Sequence, residues 1–419
     1  MKRFRTLIFP VIVFSLLVFS CDKNDEYNEP NNNQEDDENQ KQALEPLDLK
    51  EWTFLFYDDA DFSNAYDPIM DLASRVASDS SINYLVLRDR NYFEAEYYYI
   101  EEDHNYSKIE SIGEANMGSA VTLDNFIKFA HEFFPANRYI IAFYDHGGGW
   151  KGACWDVSNM NDNLTCVEMD EAFTLNGGMD MVLFTAPCLM GAVETAYQVR
   201  NSSDVYIGSE NVSGFIIWKD ILQEFDTIIK INPLIGTTSL AEEIIRLHSE
   251  NIEVSEYGST LTMSAIDVSK TDLLVARFEQ VISYYVNNFE DFSTFPLAGI
   301  RKFYSNHYDL KDFLSFLLKH ESNDSIKGLI DNTISCFDDC IIAECHGDSV
   351  YPINGLSIYF PDSLFSTQIY YSNYGTNLNF KNDCSWGGLV LMALKNTFSE
   401  VSLNPDMEIL SRDTYYPDN

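Results

Sequence analysis

Two short segments of the sequence each carry a residue capable of covalent chemistry, and each of these residues follows an apolar run. His146 follows the run 138–144 and begins the turn HGGGW, while Cys188 follows the run 179–184. Short apolar runs that end in small-residue turns are typical of buried strands. Active sites of open α/β sheets form at the carboxyl ends of strands, so neighbouring strands would bring the imidazole and the thiol into one cleft. The pair therefore predicts a cysteine nucleophile with a histidine partner.

The residues around this pair suit the chemistry of a thiol nucleophile. The thiolate is the reactive form, and a nearby imidazole both favours it and later protonates the leaving amine. Because glycine lets the backbone approach a substrate closely, we expect the N–H groups of Gly147 and Cys188 to hold an oxyanion. The apolar spacing of residues 189–200 predicts a helix that starts beside Cys188 and whose positive end favours the thiolate.

Each of the two residues also has a structural interpretation. A buried free cysteine behaves as a small hydrophobic residue, and an isolated motif is weak support for a function. The catalytic interpretation depends on the pair, since both residues follow strands of the same kind and lie 42 positions apart (188 − 146).

The order of secondary-structure patterns indicates the fold class. Strand and helix patterns alternate up to residue 218, which predicts an α/β fold with a mostly parallel sheet and helices on both faces. After residue 219 the patterns are largely helical, with strands expected near 259–266 and 356–360. Residues 150–170 read as a long polar loop over the cleft.

Several motifs occur in one order along the chain. They are WTFLFYDDAD (52–61), DHGGGW (145–150), CLMG (188–191), LTMSAID (261–267), GLSIYFP (355–361), YGTNL (374–378) and FKNDCSW (380–386). With these motifs the sequence resembles the clostripain-like cysteine peptidases, relatives of caspases, gingipains and legumain. The resemblance implies a caspase-like three-layer α/β/α fold. It also implies an endopeptidase whose catalytic dyad is His146 and Cys188.

One position departs from the pattern of that family. Members usually carry an aspartate two residues before the nucleophile, where it helps to hold an arginine or lysine of the substrate, and this chain has Ala186 there. Losing one partner of a desolvated charge pair typically costs about 2–5 kcal/mol. The sequence therefore does not decide whether this chain keeps the preference for cleavage after Arg or Lys. Glu210 is a candidate for the missing charge in this substrate pocket, although a solvated loop carboxylate is the favoured interpretation of Glu210.

The first 46 residues predict an export signal and a tether. Residues 1–20 combine a basic start with an apolar run too short to span a bilayer, which is typical of a secretory signal peptide. Ser20 and Cys21 then fit a lipoprotein cleavage site with Cys21 as the lipidated residue, and an ordinary signal peptide with a chance cysteine is the alternative.

Residues 21–46 form an acidic tether by this interpretation. Nine acidic residues and two lysines lie between positions 22 and 46, and such a composition cannot bury enough apolar surface to fold. The acidity either keeps the tether solvated or acts as an export tag, since it resembles the surface-export signal of Bacteroidetes lipoproteins. We expect an extracytoplasmic protein that is lipid-anchored to the outer membrane and is periplasmic or surface-exposed.

The remaining sequence divides into a catalytic core (47–218), a C-terminal portion that completes the peptidase body (219–400) and a polar tail (401–419). The net charge of −39 excludes nucleic acid as a partner, because phosphate binding needs clustered Lys and Arg. The expected partners are protein or peptide substrates, and the membrane through the lipid anchor.

We predict no metal or other cofactor. Calcium activation occurs in the family that the chain resembles, but the sequence shows no convincing set of calcium ligands beyond its general acidity. Cys154 and Cys166 flank the predicted loop and could close it, since disulfides are permitted outside the cytoplasm. Buried thiols with one or two bridges are the simplest interpretation of the six cysteines other than Cys21 and Cys188.

Two functions from different classes remain. The first is the cysteine endopeptidase. In the family that the chain resembles, activation can involve a cut near residues 150–170, but Lys151 is the only Lys or Arg of that segment, so the sequence does not predict a self-cut after a basic residue there. The second is a non-catalytic surface lipoprotein that keeps a peptidase fold and binds peptide or glycan, motivated by Ala186 and the unusual stretch 209–218. A third, weaker interpretation is an acyltransferase or transpeptidase that uses the same acyl-enzyme.

Overall fold

A computed structural model describes most of the chain between the predicted tether and tail. The described residues are 44–61, 68–254, 258–293, 295, 299–349, 353–361 and 378–397. They lie almost wholly in one compact unit, Glu45–Asn419. The predicted signal peptide, the lipidation site Cys21, nearly all of the tether and the tail 401–419 lie outside the described residues.

A nine-stranded sheet organises this unit. The described strands are β1 (Lys50–Asp59), β2 (Ile82–Asp89), β3 (Ala95–Ile100), β4 (Tyr106–Gly113), β5 (Ala136–Tyr144), β6 (Ala153–Asp156), β7 (Asp162–Leu164), β8 (Met179–Phe184), β9 (Ser203–Gly208), β10 (Thr262–Asp267), β11 (His307–Asp309), β12 (Ile341–His346) and β13 (Ser357–Tyr359). The main sheet has the order β12-β10-β9-β8-β5-β1-β2-β3-β4. Its central strands β9, β8, β5, β1 and β2 are parallel, and antiparallel strands extend both edges.

Helices cover both faces of this sheet. The described helices are α1 (Pro68–Ala73), α2 (Ala120–Phe133), α3 (Cys166–Leu175), α4 (Val193–Gln198), α5 (Phe215–Ile231), α6 (Thr237–Val254), α7 (Thr271–Asn287), α8 (Phe289–Phe292), α9 (Leu310–His320), α10 (Asp324–Cys340), α11 (Asn379–Asp383) and α12 (Trp386–Thr397). Buried side chains of α1, α5 and α6 pack in one core cluster, whereas those of α2, α3, α7, α9 and α10 pack in the other.

The central strands are apolar along most of their length because both of their faces are buried. In β1, Leu55 and Tyr57 point into one core cluster, and Phe54 and Phe56 point into the other. A strand that is covered on both faces reads as a continuous hydrophobic run rather than an alternating one. The predicted α/β fold, with a mostly parallel central sheet between layers of helices, is confirmed.

The C-terminal portion adds strands as well as helices to this body. β10 pairs antiparallel with β9, and β12 pairs antiparallel with β10. The short strands β11 and β13 form a separate antiparallel pair. Ser357 of β13 donates its N–H to the carbonyl of Gly191 at 2.8 Å, so this distant segment contacts the chain just after the predicted nucleophile.

Residues 150–170 are more ordered than the polar loop that the sequence predicts. They contain the antiparallel pair β6 and β7 and the start of α3. The Asp156 carboxylate helps to hold this hairpin, since it accepts hydrogen bonds from the N–H groups of Met117 and Asn159, both at 2.8 Å. Strands this short and polar carry no alternating hydrophobic pattern, which is why the sequence did not indicate them.

The described cysteines are all free thiols, and the Cys154–Cys166 bridge that the spacing allowed is not present. The Cys166 thiol lies 3.5 Å from the carbonyl oxygens of both Gly149 and Trp150, so it packs inside the loop that follows His146. Within the described part of the chain, every helix is too short or too polar to cross a bilayer.

Candidate active site

The strands that precede His146 and Cys188 are neighbours in the sheet. β5 and β8 pair in parallel, with Phe143 in register with Phe184. Thr185 extends this pairing, because its N–H and its hydroxyl both bond to the carbonyl of Phe143, at 3.1 and 2.6 Å. The two loops that carry the predicted dyad therefore leave the sheet side by side at the same edge.

Gly147 is the point at which these two loops touch. A Cβ atom at Gly147 would lie 2.4 Å from the carbonyl oxygen of Cys188 and 2.7 Å from its nitrogen. Both atoms belong to the backbone, so they cannot swing away as a flexible side chain can. Only glycine permits this approach, which brings the backbone of the histidine loop against the nucleophile position.

The N–H groups of Gly147 and Cys188 are available to a ligand. Within the described residues, neither N–H has an acceptor in the protein. Gly147 forms an isolated antiparallel bridge with Ala153, but the bonds on either side of it run from Cys154 to His146 and from Gly148 to Gly152. Two unpaired donors this close together can hold a developing oxyanion.

The Cys188 thiol is nearly enclosed. Its sulfur accepts a hydrogen bond from the Ser213 N–H at 3.3 Å and lies 3.7 Å from the carbonyl oxygen of Ser213. Burial raises the pKa of Cys188, the Ser213 N–H opposes this rise, and the negative charge of Asp145 adds to it. The resting thiol is therefore protonated at neutral pH.

His146 is half-buried, and burial lowers its pKa. Its backbone carbonyl accepts the N–H of Cys154 at 3.1 Å, and the neighbouring Asp145 carboxylate accepts the N–H of Trp155 at 2.6 Å. The start of β6 therefore holds the histidine loop in place. A neutral imidazole is the form that can accept a proton as a general base.

The helix expected to start beside Cys188 begins later, so this prediction is wrong. The chain first passes through Leu189 in a left-handed conformation, and the N–H groups of Leu189 and Gly191 bond to the carbonyls of Asn211 and Ser209 at 3.0 and 2.7 Å. α4 starts at Val193 and is six residues long. The N–H that bonds to the Cys188 sulfur belongs to Ser213 and not to this helix.

The two predicted pocket residues occupy different environments. Ala186 is partly exposed and packs against the core cluster beneath β8. Glu210 is 1% exposed, so its interpretation as a solvated loop carboxylate is wrong. Its carboxylate accepts the N–H of Gly355 at 3.0 Å, and burial together with the charge of Asp309 raises its pKa well above the usual range.

Three carboxylates near the histidine strand are close enough to hold a metal ion. Asp61, Asp89 and Asp156 each present an oxygen within 4.8 Å of the others, and all three are buried. The sequence carried no signal for this group, because its residues are far apart along the chain. No other group of this kind was found among the described residues.

Sequence reasoning also missed two residues that surround the dyad. Ser213 contacts the nucleophile from 25 positions further along the chain, and its polar stretch carried no signal for that role. Asp145 precedes His146 directly, and an acidic residue at the end of an apolar strand could have marked it as functional.

The sequence matches one protein family over most of its length. The model of the clostripain family matches residues 57–392. A 118-residue segment is 33% identical to clostripain from Hathewaya histolytica, and this match spans 24% of the chain and 22% of that protein.

Solved structures share the fold at low sequence identity. A secreted C11 cysteine protease from Bacteroides thetaiotaomicron, solved with an irreversible peptide inhibitor, aligns over 80% of the chain and 99% of its own, with a TM-score of 0.60 and 18% identity. An inactive zymogen C11 protease from Parabacteroides distasonis aligns over 79% and 97%, with a TM-score of 0.59 and 19% identity.

Adding one methyl group at Gly147 tests the loop contact. We expect Gly147→Ala to lower the free energy of unfolding by about 1–3 kcal/mol, because overpacking against the Cys188 backbone forces the loops apart. Denaturant titration measures this loss. Gly328→Ala is the matched control, since nothing lies within 4 Å of its added Cβ and helix α10 should tolerate alanine. Equal midpoints for Gly147→Ala and the parent protein would contradict the contact.

The protonation state of the nucleophile can be tested by alkylation. Because the pKa of Cys188 is raised, its reaction with iodoacetamide should increase with pH and reach its midpoint above the ordinary thiol value of 9.0. Mass spectrometry of the Cys188 peptide measures the rate, with His146→Ala expected to leave the midpoint in place. A midpoint below neutral pH that is lost in His146→Ala would instead reveal a resting thiolate–imidazolium pair.

Proposed function

The chain belongs to the clostripain family, and from this we propose that it is a cysteine endopeptidase that hydrolyses protein or peptide bonds through Cys188 and His146. The observation that carries the proposal is the contact of the two loops at Gly147, which leaves two N–H donors unpaired beside the thiol. Family membership supports the reaction class, and this arrangement supports the roles of the residues.

Each residue then has a role in acyl transfer. The Cys188 sulfur attacks the scissile carbonyl while His146 takes the thiol proton, and the N–H groups of Gly147 and Cys188 hold the oxyanion. His146 next protonates the amine as it leaves, and an acyl-enzyme remains on the sulfur. Water, deprotonated by His146, then attacks the thioester and releases the new carboxyl end.

We propose that the pocket for the residue before the cut is not built for Arg or Lys. Ala186 supplies no charge at the position where relatives carry an aspartate. Glu210 is a poor replacement, because burial raises its pKa well above the usual range and so disfavours its charged form, and one of its oxygens already accepts the N–H of Gly355. A neutral pocket favours uncharged side chains, since a desolvated cation there would be unpaired.

We also propose that the enzyme works outside the cytoplasm, anchored through a lipid on Cys21. The signal pattern of residues 1–21 supports this placement, as does the description of a structural neighbour as secreted. The net charge of −39 supports protein or peptide substrates over nucleic acid. The alternative is a binding lipoprotein that retains the fold without catalysis, which Ala186 and the stretch 209–218 motivate.

Digestion of a random peptide library separates the enzyme from the binding protein. We expect the protein from residue 47 onward to cut the library and the Cys188→Ala variant to leave it intact, with mass spectrometry reading the cut sites. If the intact chain does not cleave the library, protein that has been nicked within residues 150–170 is assayed in the same way. Absence of cuts from both intact and nicked protein, with a folded chain, would overturn the peptidase proposal.

Introducing a carboxylate at position 186 tests whether the substrate pocket lacks a negative charge. We expect Ala186→Asp to raise cleavage after Arg and Lys by at least about tenfold relative to uncharged residues, because the new carboxylate pairs with the substrate cation. Glu210→Gln is the matched control and should leave the cleavage preference unchanged. If the parent protein already cuts after Arg or Lys and Glu210→Gln abolishes this, then Glu210 supplies the charge and the neutral pocket is wrong.

A further inference from the structure

A short turn of the C-terminal portion contacts both loops that carry the predicted dyad. It comprises residues 303–307, directly before and into β11, and we call it the 303–307 turn. A hydrogen bond from the Phe303 N–H to the carbonyl of His307 closes it at 2.7 Å. The turn is remote from His146 and Cys188 along the sequence, so only the fold brings it to the candidate site.

His307 packs one end of the turn against the histidine loop. A Cβ atom at Gly149 would lie 2.3 Å from Nε2 of His307, which is 1% exposed. The His307 ring also lies beside the ring of Tyr359, with centroids 5.5 Å apart, and Tyr359 lies beside Trp150 at 5.6 Å. The missing side chain of Gly149 therefore lets the turn pack directly on the HGGGW segment that begins with His146.

Tyr304 lies at the other end of the turn, beside the nucleophile. Its N–H donates to Oδ1 of Asn211 at 3.4 Å. The carbonyl of Asn211 accepts the N–H of Leu189, the residue after Cys188, at 3.0 Å. Two positions beyond Asn211, Ser213 donates its N–H to the Cys188 sulfur. The 303–307 turn therefore extends from the histidine loop to the segment that flanks the thiol.

The backbone of the turn is strained between these two contacts. Ser305 and Asn306 have φ values of 50° and 63°, a left-handed conformation that residues other than glycine rarely adopt. Such strain persists where the surrounding structure imposes it, and it is concentrated at functional sites. Here the Phe360 N–H bonds to the carbonyl of Asn306 at 2.9 Å, and Phe303 is buried against Ile353. Packing therefore holds the turn in a conformation that its sequence alone disfavours.

The strained turn leaves one aromatic ring in solvent. Tyr304 is 51% exposed, whereas Phe303 and His307 on either side of it are 6% and 1% exposed. Val212, between Asn211 and Ser213, is 44% exposed. A single exposed apolar residue is ordinary on a protein surface. These two, however, lie on either side of the same contact with Asn211, next to the nucleophile.

An exposed aromatic ring and a branched aliphatic side chain suit an apolar ligand. Tyrosine offers a large apolar face for packing, and neither side chain is charged. We infer that Tyr304 and Val212 form a subsite for a large apolar or aromatic side chain of the peptide substrate. This inference rests on the proposed peptidase function and names a substrate class for it.

The contacts also limit which substrate residue can reach this subsite. The path from the thiol through Ser213 and Asn211 places the Tyr304 backbone within roughly 17 Å of the Cys188 sulfur. An extended peptide rises about 3.3 Å per residue, so the preferred side chain lies within about five residues of the cut. Apolar burial needs no charge, and the subsite can therefore select substrates even though Ala186 supplies no carboxylate.

The residues that hold the turn have a different role from Tyr304. Asn211 and His307 are positioning residues, because the contacts described for them are with the backbone of Tyr304 and of Gly149. Tyr304 determines specificity, since its ring is the part of the turn that a substrate can reach.

Peptide capture by the full chain carrying Cys188→Ala tests the subsite without any cleavage. A random peptide library is passed over the immobilised protein, and mass spectrometry compares the bound peptides with the input. We expect large apolar and aromatic residues to be enriched about fivefold among the bound peptides. Adding Tyr304→Ala should abolish this enrichment, and Tyr304→Phe should retain it because the ring provides the contact.

Cleavage kinetics then locate the preference relative to the cut. For the best apolar peptide, Tyr304→Ala should lower kcat/KM by about tenfold, because the substrate side chain no longer loses its apolar surface to the ring. A peptide with serine at that position should change by less than about twofold. Tyr106→Ala is the matched control and should leave both peptides unaffected, since Tyr106 is 40% exposed on β4 at the far edge of the sheet.

Thermal unfolding checks that these variants remain folded. Tyr304→Ala should shift the unfolding temperature by less than about 3 °C, because the side chain is half exposed. If the shift is larger, Val212→Ser is measured in its place, with the same loss of apolar preference expected.

Two results would overturn the subsite. One is a bound fraction without apolar enrichment in the Cys188→Ala protein. The other is equal enrichment with and without the Tyr304 ring. Capture that depends on Tyr304, together with no cleavage by intact or nicked protein, would instead refute the peptidase proposal and leave the peptide-binding subsite in place.

Discussion

The backbone contact between Gly147 and Cys188 is the constraint on which the candidate site depends. The parallel pairing of β5 with β8 delivers both loops to one edge of the sheet, but pairing alone leaves their separation open. The missing Cβ of Gly147 lets the loops close to van der Waals contact. The N–H groups of Gly147 and Cys188, which have no acceptor among the described residues, therefore lie in the same small region, where the Cys188 sulfur also accepts the N–H of Ser213.

The electrostatics of this edge favour an uncharged thiol at Cys188 and an uncharged imidazole at His146. Burial and the charge of Asp145 raise the pKa of Cys188, and burial lowers the pKa of His146. Both shifts favour the neutral pair at rest. The helix that could have stabilised a thiolate begins at Val193, too far along the chain to act. In the proposed mechanism, catalysis therefore depends on proton transfer to His146 and on the N–H donors at Gly147 and Cys188, which act most strongly in a site that excludes water.

The sequence predicted the central sheet because parallel strands buried on both faces are continuous apolar runs. The runs before His146 and Cys188 are strands, and they are adjacent. Prediction was poorest where position depends on distant segments. Apolar spacing after Cys188 fits a helix, yet residues 189–192 instead bond to Ser209, Asn211 and Ser357. Ser209 and Asn211 follow β9, and Ser357 begins β13, so helical periodicity carries no information about these partners.

The burial of acidic side chains was also beyond prediction from the sequence, because it depends on distant segments. A glutamate in a polar stretch is usually solvated, but the Glu210 carboxylate is enclosed by a segment 145 positions away, where Gly355 supplies its donor. Asp59, Asp89 and Asp156 are likewise ordinary strand-end acids when each is taken alone. Only the register of β1 with β2 and the return of the hairpin after His146 convert them into one cluster. The free-energy cost of burying these carboxylates arises only in the assembled sheet. The interactions that offset this cost also form only there.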